Sequence, residues 1–397
     1  MQASAGPIAR KFTVDRVALF GSLLGTASLF VGWLTLRPNR LAGGVALNIQ
    51  KSLGAFWIQI TLLWLVSVAF SLSGKTKAVA VAEGVCANLI VIVVFIACGP
   101  SSERLLAGGT SIARVSISSG FWLTIIGAYI VIFAARQRLY RSVTGFFISW
   151  VSVPAVFALL ATGWLKHLSL VQEFNANSAR FYQELGQHLF LVGFSVTAGA
   201  VLGIALGLWA ARSRRAERPI VWTANIAQTI PSLALFGLLI APLSTLSFAV
   251  PAFRNLGVRG IGDTPALIAL VLYSLLPVIR NTLAGLRGVE PSVIDAGRGV
   301  GMSRGQIFRR IEAPLAAPII LEGVRIAAVQ AVGLTAVAAL IGAGGMGWFI
   351  FQGIGEAATD LILVGAIPIV LLALLVDSLM LTVVRLATPR GLSGATA

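Results

Sequence analysis

Residues 292–314 read SVIDAGRGVGMSRGQIFRRIEAP, a polar, basic stretch punctuated by glycine and set between two long apolar segments. Ser292 with Asp295, and Ser303 with Gln306, each have the spacing of a capping box, which predicts two short helices. Gly299 and Gly301 break the first. Pro314 is expected to stop the second, because proline cannot continue the amide ladder. On that second helix Ile307, Phe308 and Ile311 share one side, while Arg304, Arg309 and Arg310 lie elsewhere. An amphipathic pair between membrane spans either lies flat on lipid or binds something.

The rest of the chain explains why such a stretch stands out. Of 397 residues, 57% are hydrophobic and 11% charged, where a soluble domain carries roughly a quarter charged residues. The mean hydropathy is +0.91. This is the composition of an all-α polytopic membrane protein. The net charge of +16 does not signal a nucleic-acid partner. The basic residues fall in short clusters between apolar spans, as topology determinants do, and not on one face. Cys86 and Cys98 lie in one apolar segment, too far apart along a helix for a disulfide, and read as small packing residues. His167 and His188 stand alone, so no metal site and no catalytic cluster is expected.

About ten segments are long enough to cross a bilayer, which takes roughly 20 apolar residues. They fall near 17–36, 53–73, 78–98, 118–135, 146–165, 187–211, 220–241, 264–280, 319–341 and 361–385. The first apolar run is followed by Leu36–Asn39 instead of a small-residue cleavage site, and is expected to be a retained span. With the N-terminus placed in the cytoplasm, the inside loops hold twenty Lys and Arg and the outside loops nine. Arg10, Lys11, Arg141 and Arg390 are among the inside set, and Arg325 is left in a span. The positive-inside rule therefore puts both termini and the 292–314 stretch in the cytoplasm. The polar segment KHLSLVQEFNANSARFYQELG, from Lys166 to Gly186, reads as an extracytoplasmic loop with a short helix. It divides a membrane segment of about five spans (1–166) from a five-span C-terminal unit (187–388), with 167–186 as linker.

At fixed offsets, Asp295, Ala296, Gly297, Gly301, Ile311 and Pro314 follow the pattern Glu-Ala-Ala, three residues, Gly, nine residues, Ile, one residue, Leu-Pro. The departures are Asp for Glu, Gly297 for the second Ala, and Ala313 for Leu. In this the stretch resembles the cytoplasmic coupling loop, here 287–318, of permease subunits of binding-protein-dependent ABC importers. The resemblance implies a type I importer permease core in the C-terminal half and a bacterial inner-membrane location. It also implies cytoplasmic ATP-binding subunits, an extracytoplasmic solute-binding protein and a second permease copy or paralogue as partners. In that setting Asp295 would offer a charge to the ATPase, Ala296 and Gly297 would let its surface approach, Gly301 would set the elbow, Ile311 would anchor it and Pro314 would fix the exit angle. The chain has no Walker lysine motif, so ATP and Mg are expected on a partner chain and no enzyme activity on this one.

Two further motifs lie in the second half. Gln228, Thr229, Pro231 and Ser232 place a proline inside the seventh span, with polar groups able to answer the carbonyls that it frees. Gly342, Gly344, Gly345 and Gly347 follow the ninth span on the outside. The first reads either as a structural kink or as a bend lining a translocation path; the second reads either as a tight turn or as an outer gate. Both strings resemble the matching segments of glycine betaine, carnitine and choline permeases, which implies a quaternary ammonium osmoprotectant as solute. A similar core importing an amino acid such as methionine, a phosphonate or a sulfonate stays open, as does a secondary transporter. The last would need ionisable groups near the midplane, and these are scarce. Glu83, Glu322, Arg325 and Asp377 all sit shallow in their spans, and structural pairing or snorkelling is expected of them. Glycines between Gly186 and Gly207 suit close packing of the sixth span.

Overall fold

The computed structural model describes residues 14–139, 143–255 and 257–389. Arg10, Lys11, Arg141, Arg390 and both termini lie outside the described residues. The chain forms two compact units, which divide between Ala176 and Asn177. The boundary falls inside the 167–186 segment, and that segment is helical on both sides of it (Ser169–Ala176 and from Ser178 onward). Residues 178–186 are the first turns of a 35-residue helix, where the sequence reading has a loop with only a short helix.

In the first unit, α1 (Arg16–Ala27), α2 (Phe56–Leu72), α3 (Lys77–Leu106), α4 (Ser119–Arg138) and the broken helix α5–α6 (Val143–Trp150, Ser152–Ala161) match the first five predicted spans. The first span ends early. Residues 34–36, read as its end, lie in strand β1 (Leu34–Arg37), paired antiparallel to β2 (Val45–Leu47) and β3 (Arg114–Ile117). This small sheet is an addition to an otherwise helical fold. The core of the unit holds Trp33, Trp64 and Phe121, all essentially fully buried. Close contact at Gly25 makes room for Trp64, whose ring would occupy the site of any Cβ there. Large apolar side chains on the rim, among them Leu62, Phe133 and Phe157, stay exposed, as lipid-facing side chains do.

Charges in this unit converge on Arg138 at the end of α4. Its guanidinium pairs with Asp15 (3.1 Å) and with Glu83. Asp15 also caps α1, accepting from the N–H groups of Val17 and Ala18. Pairing is what the shallow position of Glu83 predicts; that its partner is Arg138, 55 residues away, is legible only in the structure.

The second unit contains α7 (Ser178–Arg212), α8 (Arg214–Thr229), α9 (Ser232–Ala249), α10 (Asp263–Arg287), α11 (Pro291–Gly299), α12 (Arg304–Ile307), α13 (Ala313–Ala338), α14 (Gly347–Gly355) and α15 (Thr359–Ala387). The predicted seventh span, 220–241, is two helices. Ile230 and Pro231 take extended backbone (ψ 128° and 138°), so Pro231 breaks the helix where a kink is expected. The membrane-length apolar helix is α9, shifted towards Ala249, while α8 is basic and amphipathic.

At the centre α7 packs along α10. Gly199, Gly203 and Gly207 recur every four residues and face Ser274, Val278 and Thr282, which also recur every four. A Cβ at these glycines would lie 2.5 to 2.8 Å from the Cβ atoms opposite. Small residues on one stripe thus let two backbones approach, which is the expected use of glycine in a span. Gly203→Val is expected to destabilise the chain by about 1–3 kcal/mol through overpacking. Gly193→Ala, where a Cβ meets nothing within 4 Å, is the control. Thermal unfolding in detergent should separate the two variants, and equal midpoints would refute the packing argument.

Candidate functional site

The 292–314 stretch folds as an elbow between α10 and α13, and its local chemistry accounts for each bend. The first helix starts two residues earlier than the Ser292 cap implies. Glu290 is the cap position, Pro291 takes the first turn, and the Ser292–Asp295 box does not form. Proline is favoured at that position because its missing N–H would be unbonded there anyway. Asp295 pairs instead with Arg298 (2.8 Å), and both side chains are two-thirds exposed. At the other end the Gly301 N–H donates to the Arg298 carbonyl (2.9 Å) and the Met302 N–H to the Gly297 carbonyl (3.1 Å). Gly301 has φ +80°. This pair of reversed bonds around a left-handed residue is the Schellman C-cap, a conformation that L side chains resist.

The second capping box forms as expected. The Gln306 N–H donates to Ser303 Oγ (3.3 Å) and the Ser303 N–H to Gln306 Oε1 (2.8 Å). Pro314 does not stop the second helix. Residues Arg304–Ile341 run as one helical path, because Phe308–Glu312 adopt a π turn in which the Ala313 N–H donates to the Phe308 carbonyl. The wider turn places the proline within the first residues of α13, where its missing N–H does least harm. The elbow is therefore continuous with α13, without an intervening joint.

Gly297 also has another use than the one expected of it. It is buried, and a Cβ there would lie 2.8 Å from Ile311 Cδ1 and within 3.6 Å of Met302 and Ile307. Its smallness lets the two arms of the elbow close on each other. Asp295, Ala296 and Val300 remain exposed on the outer side, Val300 to 79%. The inner side borders an open cleft of about 1070 Å³, lined by six arginines: Arg212, Arg287, Arg298, Arg304, Arg309 and Arg310. Arg212, from the end of α7, lies over the Phe308 ring at 4.7 Å. Arg287 grips Glu217 through two hydrogen bonds of 2.8 and 2.6 Å. Those bonds, helped by the charges of Arg287 and Arg214, hold the Glu217 carboxyl below its usual range.

The helix break at Pro231 gathers polar groups. Gln228 Nε2 donates to the Tyr273 carbonyl (3.0 Å) and to Gln330 Oε1 (3.4 Å). The Tyr273 hydroxyl donates to the Ile230 carbonyl (2.6 Å), and Thr229 Oγ1 to the Ile226 carbonyl (2.8 Å). Ser232 is half-buried at the first turn of α9. Sequence reasoning misses Tyr273 and Gln330, although each is the lone tyrosine or glutamine of its apolar span. The glycine turn joins α13 to α14, with Gly342, Gly344 and Gly345 all at positive φ and Gly347 against the Ala336 carbonyl. It also misses, as a group, the neighbours of this turn on α7, among them Glu184 and His188. Their helical spacing is the available signal. Arg325 bridges Glu322 (2.8 Å) and Asp377 (2.7 Å), which is the pairing expected of these shallow charges, with Asp377 drawn in from α15.

Comparison with known proteins gives two family matches. Residues 203–390 match the family described as binding-protein-dependent transport system inner membrane component. Residues 15–171 match the N-terminal domain of ABC transporter permease YehY. The chain is 34% identical over 218 residues to the glycine betaine/carnitine/choline transport system permease protein OpuCB of Bacillus subtilis, covering 55% of this chain and 93% of that one. It is 40% identical over 206 residues to the osmoprotectant import permease protein OsmW of Salmonella typhimurium, covering 52% and 91%. Among solved structures, the inward facing MetNI methionine ABC transporter is similar at 22% identity and a TM-score of 0.46, covering 53% of this chain and 96% of that one.

Proposed function

This chain belongs to the inner-membrane permease components of binding-protein-dependent ABC importers, in their osmoprotectant branch, and from that premise we propose that it imports a quaternary ammonium solute such as glycine betaine, carnitine or choline. The relatives carry those solutes in their names. The observation that carries the mechanism is the elbow at 291–312. It is exposed on its outer side, closed on itself by Gly297 and Ile311, and continuous with the membrane helix α13. In our reading it faces the cytoplasm, as the Lys and Arg distribution favours, and seats on a separate ATP-binding subunit that holds ATP and Mg. Movement of that subunit is passed without slack into α13, because no flexible joint separates the two. A second permease copy or paralogue completes the path. Gln228, Thr229, Pro231 and Ser232 border it near the break in the seventh span, and the turn at Gly342, Gly344, Gly345 and Gly347 acts as its outer gate. The solute-binding protein delivers from outside.

The test is uptake by the complex reconstituted with its ATPase and binding protein, using a panel of radiolabelled solutes. ATP-dependent uptake of a quaternary ammonium solute is expected. Uptake of methionine, a phosphonate or a sulfonate in its place would overturn the substrate assignment. Asp295→Lys probes the dock separately. It removes only an exposed pair worth about 0.2–1 kcal/mol, so the chain should fold, yet it reverses the charge on the outer side. Weaker co-purification with the ATPase, more marked at low salt, is the expected result; equal recovery would count against Asp295 as a contact.

A further inference from the structure

We propose that Glu184 and His188 are positioning residues for the glycine turn at 342–346, latching it to the first turns of α7; the proposal rests on the reading of that turn as the outer gate. Arg180, Glu184, Gln187 and His188 are spaced as one face of a helix, and all four reach the turn or its neighbours. Glu184 Oε2 accepts from the Gly345 N–H at 2.6 Å, and His188 Nδ1 accepts from the Met346 N–H at 3.3 Å. Gln187 Nε2 donates both to the Ala343 carbonyl (3.0 Å) and to Asp263 Oδ1 (2.8 Å), tying the turn to the start of α10 as well. Arg180 pairs with Glu184 at 2.5 Å and lies 4.6 Å from the ring centre of Trp348, just beyond the turn.

Burial makes these contacts consequential. Glu184 is 3% exposed and His188 not at all. A buried carboxylate or imidazole needs hydrogen-bond partners, and so does a buried amide. The Glu184 carboxylate and His188 Nδ1 answer two such amides here, and a bond from an amide to a carboxylate is of the stronger kind. The glycines are what allow the approach. A Cβ at Gly344 would lie 2.9 Å from Glu184 Oε2, and one at Gly345 would lie 3.2 Å from His188 Nδ1. The tip of the turn is thus held by side chains of another helix, beyond the backbone bonds of the turn itself. Such a hold can be released as a unit when α7 and α13 shift, which is what a gate between two states requires.

The test uses the full transporter complex in lipid nanodiscs, with Glu184→Ala, Glu184→Gln and His188→Asn, read by amide hydrogen exchange over 342–348 and by solute moved per ATP hydrolysed. Glu184→Ala removes the acceptor of the Gly345 N–H and should speed exchange at Gly345 by about tenfold, with solute moved per ATP falling by a similar factor. Glu184→Gln keeps an oxygen acceptor and should lie near the parent in exchange. His188→Asn, which can present an amide oxygen in place of Nδ1, should do the same. Unchanged exchange in Glu184→Ala overturns the latch. Exchange that is equally fast in Glu184→Ala and Glu184→Gln also overturns it, since a purely structural loss would not be rescued by the acceptor. Faster exchange with parental coupling leaves the latch standing and overturns instead the gate reading beneath it.

Discussion

Gly301→Val is expected to cut productive import by about tenfold or more while leaving the chain inserted in the membrane. The residue sits at φ +80° in the Schellman turn that ends α11. An ordinary L residue pays about 1–2 kcal/mol in this conformation, and a β-branched one is a genuine outlier there. With 1.4 kcal/mol per factor of ten in an equilibrium constant, the ratio of folded to unfolded elbow should fall about tenfold or more. A Cβ at Gly301 meets nothing within 4 Å, so the effect does not arise from crowding at the Cβ. That separates two explanations cleanly. Gly301→Asn has a side chain of similar size but tolerates the left-handed region, and should retain most uptake. If the elbow transmits ATPase motion to α13, Val should leave hydrolysis running with little uptake, and Asn should preserve both. Equal uptake in all three proteins would dismiss the elbow as a mechanical element.

The contrast between the two capping boxes shows what is legible in the sequence. Ser303–Gln306 is readable because box and helix are set by the same four residues. Ser292–Asp295 has the same spacing, but Glu290–Pro291 next to it starts the helix earlier, and the local contest goes to the proline. Pro314 and Pro231 look alike on paper. One is absorbed by a π turn and the other splits a span, because packing around each decides how the missing amide is met. The spans themselves are legible to within a few residues in most cases, since apolar length alone marks them. The sheet is not, because its strands have only three or four residues and β1 pairs with β3 across about eighty residues of chain. Contacts across long separations are hidden for the same reason. Glu184 meets Gly345 161 residues away, and Gln228 meets Gln330 102 residues away. Gly297 is legible as a position that demands smallness, while the structure assigns the cause to Ile311 of the same chain.

Arg138→Leu should be the most damaging single change to the stability of the first unit. Arg138 is the common partner of Asp15 and Glu83, and Glu83 is completely buried. Two carboxylates share one guanidinium, so removing it leaves both acids uncompensated in a poorly solvated place. Breaking a buried pair in this way costs about 3–5 kcal/mol, well above the worth of the pair itself, because the desolvated charge stays behind. Asp15 adds a second loss, since its other oxygen caps α1 at the N–H groups of Val17 and Ala18, and a cap is worth about 1 kcal/mol. Arg138→Lys should recover only part of the loss. A single ammonium on a flexible stem cannot present the guanidinium's several N–H donors to two acids at once. The decisive variant is Arg138→Leu combined with Glu83→Gln, which removes the stranded charge along with its partner. Thermal unfolding and membrane yield should recover substantially in the double variant relative to Arg138→Leu alone. If the double variant were the sum of its two single losses, the pair would not be coupled, and the triad would be a coincidence of geometry.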